Sequence, residues 1–486
     1  MTPDGNSGEP GRWLEMAPEA MLGLARRAAE LLVQRNANLA NEAAWDGEFH
    51  EELTERLMED PPEQGTPAEE VMERAAREVL PATLSLDHPR CFGFIPSSPT
   101  WPGVVADFLA AGYNINSCNW LISSGTSQLE CVIIDWFRRW LGLPETAGGV
   151  LTSGGSAASL DALVAAREAA GYPEGATVYM SDQSHSAHKR AVKIVGIRPD
   201  HARLVPSDER FRIDVDALAR MVAEDREAGL EPIAVCANAG ATATGAIDPL
   251  NALADFCETT GIWLHVDAAY GGFAVVTERG KAWLRGIERA DSICLDAHKW
   301  FFQPYEVGCL LVRDVSTLEK PFGIRPDFLQ DALWGSGHPN FWDRGLQMSR
   351  SARALKIWMS VQTFGMAAFR RAIANGLDLA ARAEEYIDAS PVLECLSPAS
   401  LGVVCFRVNP AGGDVAEETL DEVNRQVLAR IFWEDPAFVS SAVLAKKFSL
   451  RVCIINHNTT WRDVRETLAA TERFGENALR ELAAGT

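Results

Sequence analysis

The residues best suited to chemistry lie where an apolar segment, residues 292–295, runs into a polar turn. The turn presents Asp296, His298 and Lys299, and an aromatic stretch follows from Trp300 to Tyr305. In a dry, aromatic-lined site the ammonium form of a lysine is unfavourable, so its pKa is expected to fall. The free amine is then a nucleophile that can form a Schiff base with a carbonyl. The alternative interpretation is a solvated lysine after a strand.

A second candidate lies 32 residues before the lysine (299 − 267 = 32), at the end of the apolar segment 261–267. Asp267 is followed by small residues, including Ala269, that let a flat ligand approach the backbone. A carboxylate at the carboxyl end of a parallel strand, one βα step before the lysine, could keep a pyridine nitrogen protonated. Pyridoxal 5'-phosphate (PLP) requires this, because the ring accepts electrons only as a pyridinium.

The segment 149–163 predicts a short strand, a glycine turn and a helix that begins at about Ser156. Free N–H groups at a helix start, together with the helix dipole, form an anion site, so Gly155 and Ser156 are expected to hold a phosphate. An ordinary capped helix after a tight turn is the alternative. No Gly-Lys-Ser/Thr sequence follows, so the segment is not a P-loop.

The sequences HVDAAYGG (residues 265–272) and DAHKW (residues 296–300) resemble the group II PLP-dependent decarboxylases, whose best-known members act on aromatic L-amino acids. The similarity runs from about Arg90 to near Asn456. It implies an α/β protein of PLP fold type I, with a mostly parallel sheet in a large domain and a small C-terminal α+β domain. It also implies a helical N-terminal arm exchanged between the subunits of a homodimer with shared active sites. The expected boundaries are 1–88 for the arm, 89–364 for the PLP-binding domain and 365–486 for the small domain.

The resemblance implies roles for individual residues. Lys299 would bind the cofactor, Asp267 would hold its ring nitrogen, and His185 would stack on the ring and position the substrate carboxylate. Thr242 would orient Asp267, and Ser349 would reach the phosphate from the partner subunit with support from Arg350. The complete set of expected cofactor contacts is Gly155, Ser156, His185, Thr242, Asp267, Ala269, His298, Lys299 and Ser349.

On the substrate side, the resemblance implies a pocket wall at Phe94, Ile95 and Pro96. Asn116 and Cys118 stand where bulkier apolar groups are common in the family. An unpaired buried amide costs roughly 1 to 3 kcal/mol, so Asn116 is expected to face water or a polar substrate group. The substrate could be an aromatic ring bearing hydroxyls or a smaller polar side chain.

One departure from the family's pattern bears on the product of the reaction. In the family a loop tyrosine donates a proton to the carbon that has lost carbon dioxide, and the matching residue here is Phe328, 29 residues after the lysine (328 − 299 = 29). Phenylalanine cannot donate a proton, and plant relatives with phenylalanine there are aldehyde synthases that release carbon dioxide, ammonia and peroxide. A shifted loop alignment, or a substitute role for Tyr305, is the alternative. Asp296 stands where several relatives have asparagine, and its role is open.

Composition limits the possible binding partners and the cellular compartment. The formal charge of −22 argues against nucleic acid or an anionic membrane as partner. Ten cysteines without a C-x-x-C pair, and no secretory leader, favour the cytoplasm, and no apolar run reaches the roughly 20 residues of a membrane span. His185 and His188 are too few ligands for a metal, so none is expected.

The sequence therefore predicts a homodimeric, PLP-dependent carboxy-lyase that converts an L-amino acid, aromatic or similar, to the amine and carbon dioxide. An aldehyde synthase is the first alternative. A transaminase or desulfurase on the same fold, and a non-catalytic PLP-binding subunit, are the others.

Overall fold

The amino-terminal helices carry apolar side chains that they do not bury. The computed structural model describes residues 14–45, 47–323, 337–410 and 415–485. The first helices are α1 (Pro18–Asn38), α2 (His50–Leu57) and α3 (Ala68–Glu78), and none of their residues is buried. Leu22 is 67% exposed and Val33 is 56% exposed. Apolar residues at helical spacing in segments 18–32 and 68–79 predict α1 and α3, whereas the two leucines of α2 are too few to give a helical period.

Helices α4 (Trp101–Gly112) and α5 (Trp120–Leu141) lead into the large sheet. A helical stripe of apolar residues over segment 128–143 predicts a helix from Gln128, but α5 begins eight residues earlier (128 − 120 = 8). The side chain of Asn119 accepts a hydrogen bond from the Ile122 N–H and caps this earlier start. A break in helical geometry at Ser123 separates the first turn from the rest.

The large sheet contains seven strands among the described residues. They are β1 (Gly148–Thr152), β2 (Ala176–Ser181), β3 (Ala202–Val205), β4 (Glu231–Asn238), β5 (Trp263–Asp267), β6 (Ser292–Asp296) and β7 (Gly308–Val312). Their order is β1-β7-β6-β5-β4-β2-β3. Strand β7 is antiparallel to both of its neighbours, and the pairs among β6, β5, β4, β2 and β3 are parallel. Strand β1 therefore runs with the parallel set, and the predicted mostly parallel sheet is confirmed.

Helices cover this sheet: α6 (Gly155–Ala169), α7 (Ser186–Ile194), α8 (Val215–Glu227), α9 (Leu250–Thr260), α10 (Glu278–Trp283) and α11 (Ser316–Phe322). Every residue of β1, β2, β6 and β7 is buried. Continuous apolar runs of this kind are expected of strands covered on both faces. Short 3-10 helices lie at Leu39–Asn41, Pro199–His201, Gly272–Val276, Ile287–Arg289 and Phe341–Arg344.

The carboxyl-terminal part is α+β. Its elements are α12 (Arg353–Ala389), β8 (Leu393–Ser400), β9 (Val403–Val408), α13 (Glu417–Glu434), β10 (Ser440–Leu444), β11 (Lys447–Cys453) and α14 (Trp461–Gly485). The strands form an antiparallel sheet in the order β10-β11-β9-β8. The apolar segments 402–408 and 449–455 predict β9 and β11, but no such segment predicts β8 or β10. These two are the half-exposed edge strands, and β8 contains Pro398, so neither shows a strong strand pattern.

The predicted domain boundaries stay predictions, but two contacts bear on them. Helix α12 breaks at Gly365, where φ is +68°, next to the predicted 364/365 boundary. At the other boundary, Phe92 was assigned to the large domain, yet its N–H donates to the Phe438 carbonyl and its carbonyl accepts from the Cys453 N–H. The chain therefore enters the large domain only after it has passed along the small sheet.

Within the described ranges, the helices lack the combination of length and apolar composition that a membrane span needs.

Candidate active site

The candidate site lies along one edge of the large sheet, where strands of the same direction end. Strand β6 ends at Asp296, three residues before Lys299, and β5 ends at Asp267. Strand β4 is followed by Thr242, and β2 by His185. Ligand sites of open α/β sheets form at the carboxyl ends of the strands. Because β6, β5, β4 and β2 are neighbours in that order, these residues lie side by side along this edge.

A glycine turn between β1 and α6 forms one end of the site. Gly154 has φ +157°, which residues with a side chain rarely adopt. A Cβ on Gly155 would lie 2.9 Å from the Cβ of Ala269, so the turn packs closely against the chain after Asp267. Helix α6 has no side-chain cap, and Ser156 in its first turn is exposed. The uncapped N–H groups and the helix dipole suit a phosphate.

Lys299 is paired with Asp296. The Lys299 Nζ lies 2.9 Å from the Asp296 Oδ2, and Asp296 is almost fully buried. Burial lowers the pKa of Lys299, but Asp296 and Asp267 outweigh burial and raise the pKa above its ordinary value. The expectation of a lowered lysine pKa is therefore wrong for this arrangement, because two carboxylates stabilise the ammonium form.

His298 lies between Asp296 and the glycine turn. Its Nδ1 accepts a hydrogen bond from the Val307 N–H, so the proton of the neutral ring is on Nε2. That Nε2 is 3.6 Å from the Asp296 Oδ2, and a Cβ on Gly154 would lie 3.2 Å from the ring. The ring of Tyr305 lies 4.5 Å from the His298 ring. His298 therefore lies against the glycine turn, and its predicted contact with the cofactor stays a prediction.

Asp267 is held as a carboxylate. Its Oδ1 accepts hydrogen bonds from the Ala269 N–H at 3.1 Å and the Cys294 thiol at 3.2 Å. Its Oδ2 lies 3.7 Å from the His188 Nε2. Burial by itself raises the pKa of Asp267, but the charges of His188 and Lys299 and the Ala269 N–H outweigh it and lower the pKa to about 2.

His185 is exposed at the start of α7. Its Nδ1 accepts a hydrogen bond from the Ala187 N–H, which leaves Nε2 as the protonated nitrogen of the neutral ring. Partial burial and the nearby Lys299 lower its pKa. The side chain therefore offers a neutral face and one N–H donor.

Thr242 does not have its expected orienting role. Its side chain is exposed, and no hydrogen bond joins it to Asp267 in the described structure. The Asp267 carboxylate is oriented instead by Ala269, Cys294 and His188. The sequence did not reveal these contacts, since Cys294 and His188 come from other elements of the sheet edge.

Arg350 cannot support a phosphate, contrary to expectation. Its guanidinium is buried and donates to both oxygens of Glu130 and to the carbonyls of Ser117 and Leu151. The neighbouring Ser349 is exposed, as a contact across subunits would require.

The residues expected to contact the substrate differ in their exposure and in their hydrogen bonds. The Asn116 Oδ1 accepts a hydrogen bond from the Arg350 N–H at 3.0 Å, and the side chain is partly exposed, so its predicted contact with water or a polar substrate group stays a prediction. Cys118 is only 2% exposed, so its thiol cannot reach a substrate in this packing. Phe94 is 60% exposed with φ +54°, whereas Ile95 is partly buried against the core and Pro96 is buried. Phe328 lies outside the described residues.

The comparisons with known proteins agree with this geometry. The family model for the pyridoxal-dependent decarboxylase conserved domain matches residues 51–409. The chain belongs to the pyridoxal-dependent decarboxylase family. This decarboxylase is 38% identical over 467 residues to an aromatic-L-amino-acid decarboxylase of Bacillus atrophaeus, covering 95% of this chain and 97% of the relative. It is 31% identical to a phenylacetaldehyde synthase of Petunia hybrida, covering 82% and 83%.

A solved structure gives the same result for the fold. The crystal structure of Oryza sativa TDC with PLP and tryptamine superimposes with a TM-score of 0.90 at 27% identity, covering 95% of this decarboxylase and 98% of that chain. The predicted PLP fold type I is therefore confirmed, as are the PLP cofactor and the activity class of carboxy-lyase. The expectation of a non-decarboxylating enzyme on this fold loses its support.

The residues present fit PLP. The glycine turn leaves space and N–H groups for a phosphate, and a side chain on Gly155 would collide with Ala269. Asp267 is an anion at the end of β5 on the same sheet edge, and Lys299, after β6, lies between it and the glycine turn in the strand order. The site thus offers a phosphate cradle, an amine and a ring-nitrogen partner in one row.

Proposed function

We propose that this decarboxylase removes the α-carboxylate of an aromatic L-amino acid and releases the amine. The observation that carries the proposal is the convergence of Lys299, Asp267, His185 and the Gly154-Gly155 turn at one sheet edge. The aromatic class is supported by the Bacillus atrophaeus relative, whose name specifies aromatic L-amino acids. It is also supported by exposed aromatic side chains near the site elements, since Phe94 is 60% and Tyr305 is 56% exposed.

When bound, PLP supplies a protonated ring that accepts the electron pair left behind as the carboxylate departs as carbon dioxide. Lys299 would hold its aldehyde carbon through Nζ, and Asp267 would hold its ring nitrogen. Gly155 and Ser156 would donate backbone N–H groups to the phosphate, with His298 beside them. Thr242 and Ala269 would contact the ring, and Ser349 would reach the phosphate from the partner subunit.

Asp296 has a proton-holding role in this scheme. Lys299 is an ammonium in the structure, and Nζ can act as a nucleophile only after it releases a proton. The Asp296 Oδ2 at 2.9 Å is the nearest acceptor.

His185 orients the substrate. Its lowered pKa keeps the ring neutral, so it can lie against the cofactor ring without adding a positive charge there. The Nε2–H is free to donate to the carboxylate that will leave, because Nδ1 is occupied by the Ala187 N–H. A single fixed donor holds the carboxylate in one orientation. The loss of carbon dioxide requires such a defined orientation.

The active species is proposed to be a homodimer. Helices α1 and α3 bury none of their own residues, and the exposed Leu22, Val33 and Leu80 need a covering surface. Phe94 and Ser349 are exposed, as residues that contribute to a partner's site would be. Analytical ultracentrifugation is expected to give twice the chain mass of 53.0 kDa, whereas a monomer with full activity would contradict shared sites.

An aldehyde synthase is the second candidate function, because Phe328 stands where the family has the proton-donating tyrosine. The Petunia hybrida phenylacetaldehyde synthase, at 31% identity, supports it. That reaction consumes one oxygen and one water and yields aldehyde, carbon dioxide, ammonia and hydrogen peroxide. The amine is the first proposal because His185 and Tyr305 each offer a proton donor close enough to Lys299 for their charges to interact.

An aerobic assay with a panel of aromatic L-amino acids distinguishes the two products. Carbon dioxide, amine, aldehyde and peroxide are measured together for the wild type, for Phe328→Tyr, and for Phe322→Tyr as a matched control on α11. We expect amine equal to carbon dioxide, without peroxide, in all three proteins. Equal amounts of aldehyde and peroxide, with amine restored only by Phe328→Tyr, would establish the aldehyde synthase. No carbon dioxide from any amino acid would exclude both functions.

A further inference from the structure

His188 lies behind Asp267, and no part of the proposed reaction uses it. It occupies the first turn of α7 and is completely buried. Its Nε2 is 3.7 Å from the Asp267 Oδ2, within ion-pair distance but longer than a hydrogen bond. This Nε2 hydrogen-bonds no described residue. In the described part of the chain, Asp267 is therefore the residue paired with that nitrogen.

The protonation of the His188 ring follows from its other nitrogen. Nδ1 lies 3.2 Å from the backbone carbonyl of His185, and a carbonyl oxygen can only accept, so Nδ1 carries a proton. In a neutral ring Nε2 would then be a bare lone pair facing a carboxylate, which is repulsive and leaves a buried polar atom unpaired. A second proton on Nε2 turns the same contact into a buried ion pair. The geometry therefore favours the imidazolium.

Other cations do not replace His188 at this position. His265 has its ring 5.8 Å from the His188 ring, but burial lowers the pKa of His265 to about 3, so it is neutral. Its two nitrogens face the hydroxyls of Ser292 and Ser159. Lys299 adds positive charge near Asp267, but its Nζ is the atom assigned to bond the cofactor, so its charge is not permanent. His188 is the fixed cation.

A fixed cation matters because the proton between Asp267 and a ring nitrogen has two possible positions. In a buried site the neutral arrangement, with the proton on the carboxyl, is favoured by desolvation over the charged arrangement, with the proton on nitrogen. A cation on the far side of the carboxylate reverses this preference, because it stabilises the anion more than it repels the more distant ring. Only the charged arrangement makes the ring an effective electron acceptor.

We propose that His188 is a positioning residue that, as an imidazolium, holds Asp267 as a carboxylate and so keeps the cofactor's ring nitrogen protonated. The inference rests on the proposed contact of Asp267 with the ring nitrogen. His188→Leu removes the charge at similar volume, and His188→Gln keeps an N–H donor without the charge. His201→Leu is the matched control, since His201 is also buried, with its Nδ1 3.0 Å from the Ala176 carbonyl, at the opposite edge of the sheet.

The test uses holoenzyme loaded with PLP labelled with nitrogen-15 in the ring, observed by NMR. The wild type and His201→Leu are expected to show a protonated ring nitrogen. His188→Leu should move the signal towards the unprotonated position, and His188→Gln should give an intermediate shift. An unchanged signal in His188→Leu would overturn the proposal.

Binding gives a second readout that is independent of turnover. The dissociation constants of PLP and of an analogue with C–H in place of the ring nitrogen are measured on each apoenzyme. His188→Leu is expected to weaken PLP about tenfold and leave the analogue unchanged, since a charge-assisted hydrogen bond is lost only for PLP. Equal weakening of both ligands would show that His188 is merely structural.

The Asp267→Asn variant tests the contact between Asp267 and the ring nitrogen separately from the role of His188. If it leaves the ring-nitrogen signal unchanged, the proposed placement of the cofactor against Asp267 fails. If it shifts the signal while His188→Leu does not, the cofactor placement stands and only the role of His188 fails.

Discussion

Lys299→Ala is expected to reduce the turnover number for carbon dioxide release by at least about a thousandfold, since it removes the covalent nucleophile. Lys299 is placed between the glycine turn and Asp267 and pairs with a buried carboxylate. Lys193→Ala, on the exposed face of α7, is the control and should retain wild-type turnover. Borohydride reduction of wild-type holoenzyme followed by peptide mapping should place the cofactor on Lys299. Its recovery on another lysine would contradict the assignment.

The Asp296→Asn variant tests the pairing that raises the Lys299 pKa. The raised pKa means that the free amine is scarce at neutral pH and becomes available as the pH rises. Removing the nearest anion lowers the lysine pKa, so the pH at which apoenzyme takes up PLP rapidly should fall in Asp296→Asn. Stopped-flow absorbance across a pH series measures this shift. Coincident pH profiles would mean that Asp296 does not control the lysine.

Arg350→Met is expected to lower the free energy of unfolding by about 3 to 5 kcal/mol, the usual cost of leaving one member of a buried ion pair alone. The Arg350 and Glu130 side chains are 2% and 1% exposed, and one of their contacts is 2.5 Å. Glu130 also accepts from the Leu151 N–H at 2.8 Å, so the pair ties α5 to β1. Urea unfolding followed by circular dichroism measures the change.

Two controls make the stability result specific. Arg462→Met removes an exposed i,i+4 partner of Glu466 and should leave the unfolding midpoint unchanged. The double variant Glu130→Leu/Arg350→Met removes both buried charges and should regain much of the loss, because neither charge is left unpaired. A single variant as stable as the wild type would show that the pair contributes nothing.

The main elements of the site could be predicted because their signals are local. Strand β5 is an apolar run that ends at Asp267, and β6 ends three residues before Lys299. Fully buried strands produce continuous apolar segments, and the residues after them must lie at one edge of a parallel sheet. This is why the lysine, the aspartate, the glycine turn and His185 were all found along the chain before their geometry was known.

Other expectations failed because they depended on which side chains meet across the sheet. Thr242 was expected to orient Asp267, but Cys294 and His188 do so. Arg350 was expected to support the phosphate, but its guanidinium binds Glu130 and two backbone carbonyls. A hydrogen-bonding residue has many possible partners, and its sequence position does not say which one lies within 3 Å.

The sequence by itself determined the class of cofactor chemistry, the order of strands and turns that carry it, and the residues that stand at each strand end. Those properties follow from the apolar strand segments, from the chemical types needed at a PLP site, and from the resemblance of residues 265–272 and 296–300 to the family. Only the tertiary structure decided the electrostatics: Lys299 is an ammonium because Asp296 lies 2.9 Å away, and Asp267 is an anion with His188 behind it. Charge states depend on distances of a few ångströms between elements far apart in the chain, and those distances exist only in the folded protein.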